Sequence, residues 1–560
     1  MKRLMCLANL YLPALMFAAM SIQPAEAARA PAGASYNVKD YGAVGDGKAL
    51  ETAAINQTIR ACNQAGGGTV LFPAGTYVTG TFELLSHVTL SVQAGAVIKG
   101  SKDLADYGVK THYGIKGLSG QSGEGLRAGL IIANNAENIA ILGPGTIDGQ
   151  GTYFVDVNKP HNGEPPDYDK RLTRQGGEFM SPKFGTADGP VRPWMPWSDR
   201  PGAMIILANC KNVLVRDVTL KDSHNWTLNV TESEDVVVSG INVSNNLLIP
   251  NNDGINITAK NARISDCNIS AGDDAIAAND CEHLVVSNCV LRSRSSAIRF
   301  CGGQSCSFQN LVIYDSNRGI GIYGSAHDVS FSDVHIQTRL HTGHWWGKSE
   351  PIHISTSLHR EAVTEAPIQN IRFSNIVADS ESGILVYGTE SQPIRDLSFD
   401  RIKLRIRGGP NSDAVGGNFD LRGIGGGLEL AIFAHPIPGL YGQNVDGLQI
   451  RGFQLEWAGQ LPGYFSDGIY CDHFTNLVID GFTGRQGQPM GPGAAIALHH
   501  GCTVTIRNCI ATRGAGTFVL LEDVKDQRLF ADNDLAEARQ ATEPVHTEFT
   551  MAGNNRPTNK

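Results

Sequence analysis

Asn261-Ala-Arg-Ile-Ser-Asp-Cys-Asn-Ile and His283-Leu-Val-Val-Ser-Asn-Cys-Val-Leu are two copies of one short unit, and this repeat decides the fold. Further copies begin at residues 212, 235, 306 and 328, so successive copies start 22 to 26 residues apart. Related units begin at residues 370, 396 and 476. A regular period of this size indicates a solenoid, in which each repeat packs on the one before it.

Each copy is interpreted as two short strands that bend at a polar or small pair such as Ser-Asp or Ser-Asn. Val, Ile, Leu and Phe occupy every second position, so one face of each strand points inward and stacking buries these faces in a continuous core. The pattern predicts an all-β fold, a single-stranded right-handed parallel β-helix. A leucine-rich repeat has a similar period, but its regular framework of Leu and Asn is absent from this sequence.

The first residues have the composition of a targeting segment. Lys2 and Arg3 precede an apolar run to about Ile22, and Ala25-Glu-Ala offers small residues at the spacing that a signal peptidase cleaves. We interpret residues 1–27 as a secretory signal peptide. The alternative is an uncleaved membrane anchor, because the apolar run is long for a signal peptide.

The remainder is predicted to form one β-helix domain, residues 28–522, because a solenoid grows by adding coils and can remain one unit at this length. Residues 523–560 are expected to cap the final coil and to end in a polar tail, with a short helix near 534–541. Three loop insertions interrupt the coils, at about 152–199, 339–351 and 408–446.

Charge and cysteine content exclude several classes of protein. The net charge is −9 with Lys and Arg scattered, so neither nucleic acid nor an anionic membrane surface is an expected partner. We also expect a monomer.

Cys267 and Cys289 occupy equivalent places in consecutive copies and are predicted to stack inward. Cys301 and Cys306 flank a short loop and are the better disulfide candidates. The Cys and His spacings do not resemble a zinc site, and we expect no metal and no cofactor.

Two stretches in consecutive coils carry the candidate chemistry: Asn251-Asn-Asp-Gly and Gly272-Asp-Asp-Ala. Asp274 follows Asp253 by one repeat, so the two are expected nearly above one another, about 4.7–4.9 Å apart. Asp273 joins them only if a bend breaks the alternation of the strand. Close carboxylates repel, so at least one stays protonated near neutral pH beside an ionised one, as hydrolysis of a glycosidic bond requires. The alternative is a ladder of Asn and Asp turns with no catalytic role.

Several N-terminal motifs fall in the same order as in a known family. Tyr36-Asn-Val-Lys-Asp-Tyr-Gly, Gly66-Gly-Gly-Thr-Val-Leu-Phe-Pro and Gly143-Pro-Gly-Thr-Ile-Asp-Gly resemble the opening coils of polygalacturonase-like proteins, glycoside hydrolase family 28. Thr52 to Gln64 resembles the helix that caps the open end of that solenoid. The resemblance extends over roughly residues 36–510. It implies a pectin lyase-like β-helix that cleaves glycosidic bonds with inversion and without a metal.

The resemblance also implies roles for the aspartates. Asn251-Asn-Asp matches the Asn-Thr-Asp motif of the family, and Gly272-Asp-Asp matches its Gly-Asp-Asp motif. Carried over, Asp273 would be the general acid, while Asp253 and Asp274 would position and deprotonate the attacking water. Asn251 would contact the substrate.

The sequence departs from the family where the substrate carboxylate is held. The stretch Arg294-Ser-Ser-Ala-Ile-Arg299 has no histidine in place of the Gly-His-Gly motif, and Gly321-Ile-Tyr323 stands where Arg-Ile-Lys is usual. We expect Arg294 and Arg299 to bind the substrate carboxylate instead, with Tyr323 nearby, because arginine can hold a carboxylate through two parallel hydrogen bonds. If neither arginine faces the cleft, a neutral or differently charged sugar is favoured.

The long loops contribute tryptophans to the candidate cleft. Trp194 and Trp197 lie in the first insertion, and Trp345 and Trp346 lie in the second. Tryptophan stacks on the apolar face of a sugar ring, so Trp345 and Trp346 are candidate substrate contacts, and we predict that one of them rather than both contacts the sugar. The alternative is that these rings only fix their own loops on the β-helix.

The sequence therefore predicts a periplasmic or secreted inverting glycoside hydrolase whose partner is a polysaccharide or oligosaccharide, pectin-related as the first hypothesis. One alternative is a lyase or epimerase on the same fold, which needs a basic residue or calcium at the site. Another is a non-catalytic β-helix that binds glycans.

Overall fold

The computed structural model describes residues 33–114, 127–155, 200–249, 251–341, 346–356, 367–421, 432–433, 435–543 and 549–558. The predicted signal peptide, and the membrane anchor that was its alternative, lie outside these ranges, as do Trp194, Trp197 and Trp345. None of the helices within these ranges is long and apolar enough to cross a membrane.

The chain forms a right-handed parallel β-helix, as predicted, in which the strands of successive coils pair in parallel within one 37-stranded sheet. Pairing divides the strands into three columns, and the longer strands turn from one column into the next. The column that carries the candidate site contains Phe82–Glu83, Ile131–Asn134, Ile205–Ala208, Leu228–Ser239, Ile255–Ser265, Ile276–Ser287, Ser296–Ser316, Arg318–Thr338, Ile352–Ser355, Ile384–Tyr387, Leu440–Asp446, Ile469–Asp480, Ala494–His499, Ala515–Glu522 and Ala538–Glu543.

The other two columns complete each coil. Strands that belong to the second are Ser35–Asn37, Gly68–Phe72, Val88–Val92, Glu137–Leu142, Lys211–Arg216, Ile368–Ser380, Ile394–Arg407, Gln449–Arg451, Cys502–Arg507, Lys525–Ala531 and Thr550–Ala552. Strands that belong to the third are Asp46–Leu50, Gly75–Thr79, Ala96–Gly100, Thr146–Asp148, Thr219–Lys221, Asn242–Ser244, Asn268–Ala271, Val290–Ser293, Gln454–Ala458, Thr483–Gly484 and Ile510–Ala511.

The corners of the coils explain the polar pairs in the repeat. Asp266, Asn288 and Asn310 stand at equivalent corners with φ of 58°, 55° and 52°, the left-handed conformation that Asn and Asp tolerate best. Their side chains also join the coils, because the Asn288 amide donates to Asp266 at 3.1 Å and the Asn310 amide donates to Asn288 at 2.8 Å. These bends and ladders hold successive coils in register.

The core is a continuous stack of apolar side chains inside the coils. Phe308, Phe331, Phe373 and Phe399 occupy one register position in four successive coils, and their rings stack at 4.6, 5.0 and 5.2 Å. This spacing is close to the distance between paired strands, so each ring lies flat on the next. The stack runs through the middle of the solenoid.

Short helices lie outside the coils. The helix Thr52–Gln64 has the predicted bounds and buries Ile55, Ile59 and Cys62 against the first coils, which confirms the capping helix. Among the described residues, the other helical segments are Gly151–Phe154 and Ser412–Val415, with 3₁₀ turns at Val38–Tyr41, Leu104–Asp106 and Lys110–Tyr113. Phe419–Asp420 and Ile432–Phe433 pair as an antiparallel hairpin within the third insertion.

The C-terminal region differs from its prediction. Residues 534–541 do not form a helix, because Ala538–Glu543 is a strand that pairs with Ala515–Glu522 and continues the coils. Regular coils also resume at Leu440 after the third insertion, slightly earlier than the sequence pattern indicated.

The cysteines correct one expectation and confirm another. Cys301 and Cys306 are free thiols rather than a disulfide, because they lie on opposite faces of one strand: Cys306 belongs to the core, while Cys301 accepts a hydrogen bond from Arg299 on the outer face. Cys267 and Cys289 are both buried in the core one coil apart, as predicted.

Replacing one ring of the phenylalanine stack tests how far the coils depend on it. We expect Phe331→Ala to lower the free energy of unfolding by about 3–5 kcal/mol, because Phe331 is fully buried between two rings and the vacancy cannot close without disturbing the register. Urea unfolding measures this. Val312→Ala is the control, since Val312 is 43% exposed and should change stability by less than about 0.5 kcal/mol. Equal midpoints for the two variants would contradict this account of the core.

Candidate active site

Asp253 and Asp274 stand at the same place in two consecutive coils, each two residues before a strand of the first column. Ile255 and Ile276 are register partners, and the Gly254 amide donates to the carbonyl of Asp274 at 2.9 Å. The repeat therefore aligns these two carboxylates as the sequence predicted.

Asp273 is brought to the same site by a tight turn before the second strand. Gly272 donates its N–H to Asn252 Oδ1 at 2.6 Å, and a Cβ at Gly272 would lie 2.4 Å from the carbonyl oxygen of Ile249, so only glycine fits. The Ser293 hydroxyl donates to the Asp273 carbonyl at 2.6 Å from the next coil. The turn breaks the strand alternation, and the side chain of Asp273 accepts a hydrogen bond from the Asn251 amide at 3.4 Å.

Burial and mutual repulsion shape the acidity of this aspartate cluster, Asp253, Asp273 and Asp274. The pKa of Asp253 is raised well above its ordinary value, first by burial and then by the charges of Asp273 and Asp274. Burial also raises the pKa of Asp274, to about 6, although Arg299 acts in the opposite direction. The cluster thus retains a proton near neutral pH and offers an acid and a base in one place.

Arg299 lies beside the cluster, where its guanidinium is engaged by the protein. Its Nε donates to Asp274 Oδ2 at 2.5 Å, and its Nη1 donates to the Cys301 sulfur at 3.3 Å. The second oxygen of Asp274 accepts the backbone N–H of Ser296 at 3.1 Å. Asp274 is therefore fixed in position and favoured as a carboxylate, and part of Arg299 is committed to that task.

The other predicted contacts are distributed around the site. Arg294 is buried and hydrogen bonded to His341 at 2.5 Å, which directs it toward the second insertion. Asn251 connects Asp273 to Arg200, whose Nη2 donates to Asn251 Oδ1 at 3.5 Å.

Trp346 is half-buried, and its carbonyl accepts from the side chain of Asn317 at 3.1 Å. Trp345 lies outside the described residues.

Tyr323 is buried one coil beyond Arg299. Its hydroxyl accepts a hydrogen bond from Arg318, and its ring meets His353 edge-on at 5.1 Å. Because the ring lies over Gly321, the register partner of Arg299, Tyr323 is close to the site but covered by protein.

The site contains two asparagines that the sequence prediction did not include. Asn229 and Asn256 are register partners on the outer face of neighbouring coils, and the same column continues through Ala277 to Arg299. Both are buried to within 3% exposure, yet the Asn229 amide nitrogen and both polar atoms of the Asn256 side chain have no hydrogen-bond partner. The sequence does contain a signal for Asn256. It is a polar residue between Ile255 and Ile257, so strand alternation places it on the outer face of the strand that follows Asp253.

Unpaired amides of this kind indicate a binding surface. A buried polar group without a partner costs about 1–3 kcal/mol, so such groups persist where a ligand or water satisfies them. One oxygen of Asp253, three residues before Asn256 in the sequence, is also buried and without a hydrogen-bond partner. The outer face formed by Asn229 and Asn256, which is the floor of the site, can therefore both donate and accept hydrogen bonds.

A group able to hold a metal ion lies elsewhere. Within the described ranges, it consists of Asp472, His473 and His500 on later coils. One oxygen of Asp472 is hydrogen bonded to the His500 imidazole at 2.9 Å, and Nδ1 of His473 lies 2.9 Å from the same oxygen.

Two family models match the chain. Residues 35–152 match the model described as rhamnogalacturonase A/epimerase, pectate lyase-like, and residues 197–418 match glycosyl hydrolases family 28. The second match contains all three aspartates of the cluster together with Arg299 and Tyr323.

Known proteins resemble the chain over much of its length. A probable polygalacturonase of Vitis vinifera is 26% identical over 402 residues, which is 66% of this chain and 74% of that protein. An exo-poly-alpha-D-galacturonosidase of Dickeya chrysanthemi is 28% identical, over 43% of this chain and 41% of that protein.

A solved structure shares the fold. The family 28 exopolygalacturonase of Yersinia enterocolitica superposes with a TM-score of 0.56 at 19% identity, covering 80% of this chain and 78% of that one. Together with the aspartate cluster, these matches show that residues 197–418 form a glycosyl hydrolase family 28 region and that the chain is a polygalacturonase-like glycoside hydrolase.

Proposed function

We propose that this chain is an inverting glycoside hydrolase that cleaves a pectin-related polysaccharide or oligosaccharide. The observation that carries the proposal is the set of three buried carboxylates contributed by two consecutive coils, two of them with raised pKa values. The names of the family 28 relatives, which act on galacturonides, support the substrate class.

In the proposed reaction Asp273 protonates the leaving oxygen, while Asp253 and Asp274 position and deprotonate the attacking water. Asp274 suits the role of base because Ser296 and Arg299 fix both of its oxygens and Arg299 favours its ionised form. The unpaired Oδ1 of Asp253 offers an acceptor for the same water. Asp273 is the most exposed of the three, at 9%, which suits contact with a leaving group.

The lyase or epimerase alternative abstracts a proton next to the sugar carboxylate and needs a basic residue or a calcium ion at the site. Arg299 is the basic group in contact with Asp274, and it is a poor base: burial alone would lower its pKa, but neighbouring acidic groups, including Asp274 and Asp253, raise it above its ordinary value. Arg299 therefore stays protonated, which favours hydrolysis.

A non-catalytic glycan-binding β-helix is also less favoured. Burying three carboxylates together is unfavourable, and perturbed carboxyl groups in a cleft are typical of catalytic sites. A turn ladder such as that of Asp266 and Asn288 keeps its polar side chains paired at the surface, whereas Asp253 is buried with an unpaired oxygen.

We infer that the sugar unit over Asn256 is recognised through hydroxyl groups. Its free amide can donate and its free carbonyl can accept, and a hydroxyl satisfies both, whereas a carboxylate only accepts. Arg299 can then contribute only the part of its guanidinium that Asp274 and Cys301 leave available.

The protein is proposed to act outside the cytoplasm, in the periplasm or after secretion, and to work as a monomer on its glycan. The N-terminal targeting pattern supports the location, and the scattered surface charge supports the absence of a nucleic-acid partner.

Replacing each aspartate of the cluster by asparagine tests the mechanism. We expect Asp253→Asn, Asp273→Asn and Asp274→Asn each to reduce the release of reducing ends from pectic polysaccharides by at least about 10²-fold, the usual contribution of an acid or base. Asp266→Asn is the matched control, because Asp266 is an exposed corner residue that asparagine can replace. Activity retained in Asp273→Asn would rule out its role as general acid.

The pH profile tests the role of Arg299. Because Asp274 has a pKa of about 6 and must lose its proton to act as base, kcat/KM should rise as pH increases through about 6. Arg299 lowers the pKa of Asp274, so Arg299→Gln should move this rising limb to higher pH. Arg263→Gln, at an exposed position, should leave the limb in place. An unshifted limb in Arg299→Gln would contradict the assignment of Asp274 as the base.

Asn256→Leu tests recognition by the free amide. We expect KM to rise by about 5- to 150-fold with little change in thermal stability, since hydrogen bonds of about 1–3 kcal/mol to the substrate are lost while the protein loses none of its own. Steady-state kinetics and thermal unfolding measure the two effects. Asn268→Leu, at an exposed site in another column, is the control. An unchanged KM would show that Asn256 does not contact the substrate.

A further inference from the structure

The column of outward side chains that forms the floor of the site is blocked on its C-terminal side. It passes from Asn256 through Ala277 to Arg299, and the next register partner is Gly321. Glycine leaves an empty position, which the ring of Tyr323 fills: a Cβ at Gly321 would lie 2.6 Å from the Tyr323 hydroxyl. The following partner, His353, is fully buried against the same ring.

Tyr323 is held there by a buried arginine. Arg318 is completely buried, donates to the Tyr323 hydroxyl, and forms an ion pair with Glu350 at 3.5 Å. Both charges are enclosed, and breaking such a pair by removing one partner is strongly destabilising. The ring is thus part of a rigid structure rather than a side chain free to swing aside.

The third insertion covers this structure from outside. The Asp420 carbonyl accepts from Arg318 at 2.8 Å, its N–H donates to Glu350 at 3.0 Å, and its carboxylate accepts the N–H of Gly347 at 2.8 Å. Three distant parts of the chain therefore meet over one coil, and Asp420 is fully buried in the contact. This closed end, formed by Tyr323, Arg318, Glu350 and Asp420, is a wall across the column.

The position of the wall limits what the site can hold. Paired strands are about 4.8 Å apart, so Gly321 lies about 10 Å from the coil of Asp274, with only the coil of Arg299 between them. A polymer lying along the column cannot continue past Tyr323. On this side of the aspartates there is length for one sugar unit.

We propose that the enzyme cleaves at chain ends, releasing one sugar unit that occupies the space between the aspartate cluster and Tyr323. This proposal rests on the proposed hydrolase function and adds its mode of attack. The substrate class is the terminus of a pectic chain rather than its interior.

Product sizes over time test the proposal. The purified enzyme is incubated with polygalacturonate and with end-labelled galacturonate oligomers, and products are separated by anion-exchange chromatography. We expect the single unit to be the only early product, with each oligomer shortening one unit at a time. An early mixture of intermediate lengths would overturn end attack while leaving hydrolysis in place. No new reducing ends from these probes or from a panel of pectic, neutral and algal polysaccharides would overturn the proposed function, and end attack with it.

Opening the wall provides the second readout. Tyr323→Gly should lengthen the space by one coil and raise the early yield of two-unit products at least tenfold, whereas Tyr323→Phe keeps the ring and should keep the single-unit pattern. Tyr323→Leu, which also removes the ring but leaves an apolar side chain, replaces Tyr323→Gly if thermal unfolding shows that the glycine variant is misfolded. A product pattern that is unchanged in the folded ring-deleted variant would overturn the assignment of Tyr323 as the end of the groove.

Discussion

The register between successive coils is the constraint on which the rest of the structure depends. Left-handed corners occupied by Asn and Asp fix where each strand turns, and side-chain hydrogen bonds between corners keep each coil directly over the last. Any residue then has a defined neighbour about 4.8 Å away in the next coil. The phenylalanine stack inside and the aspartate cluster outside are two results of this one geometry.

The same register concentrates charge that the protein would otherwise separate. Asp253 and Asp274 cannot move apart, because strands on either side of them are paired along their length. Arg299 and the backbone of Ser296 compensate for Asp274, whereas Asp253 keeps a buried, unpaired oxygen. The rigidity of the solenoid thus maintains an arrangement of carboxylates that a more flexible fold would relax.

What repeats in the sequence could be predicted, and what joins distant segments could not. The coil period, the capping helix and the alignment of Asp253 with Asp274 all follow from local patterns. Alternation along a strand also places Cys301 and Cys306 on opposite faces and Asn256 on the outer face, so these two features are local as well. The burial of Tyr323 depends on Asp420, nearly 100 residues later, through contacts that no local pattern encodes. The strand Ala538–Glu543 shows the same limit, because pairing with the preceding coil overrides its helical composition.

The wall across the column depends partly on an insertion, whereas the outward side chains of the site belong only to the repeating coils, so the two can change separately during evolution. Asp253, Asp274 and Arg299 belong to the repeating coils, where a shift of one residue would disturb every neighbour, whereas Asp420 belongs to an insertion joined to those coils at its ends. Changes in the length of such an insertion can accumulate without disturbing the stacking beneath it. Related proteins can therefore inherit one set of reactive groups and differ in which part of a polymer they are able to reach.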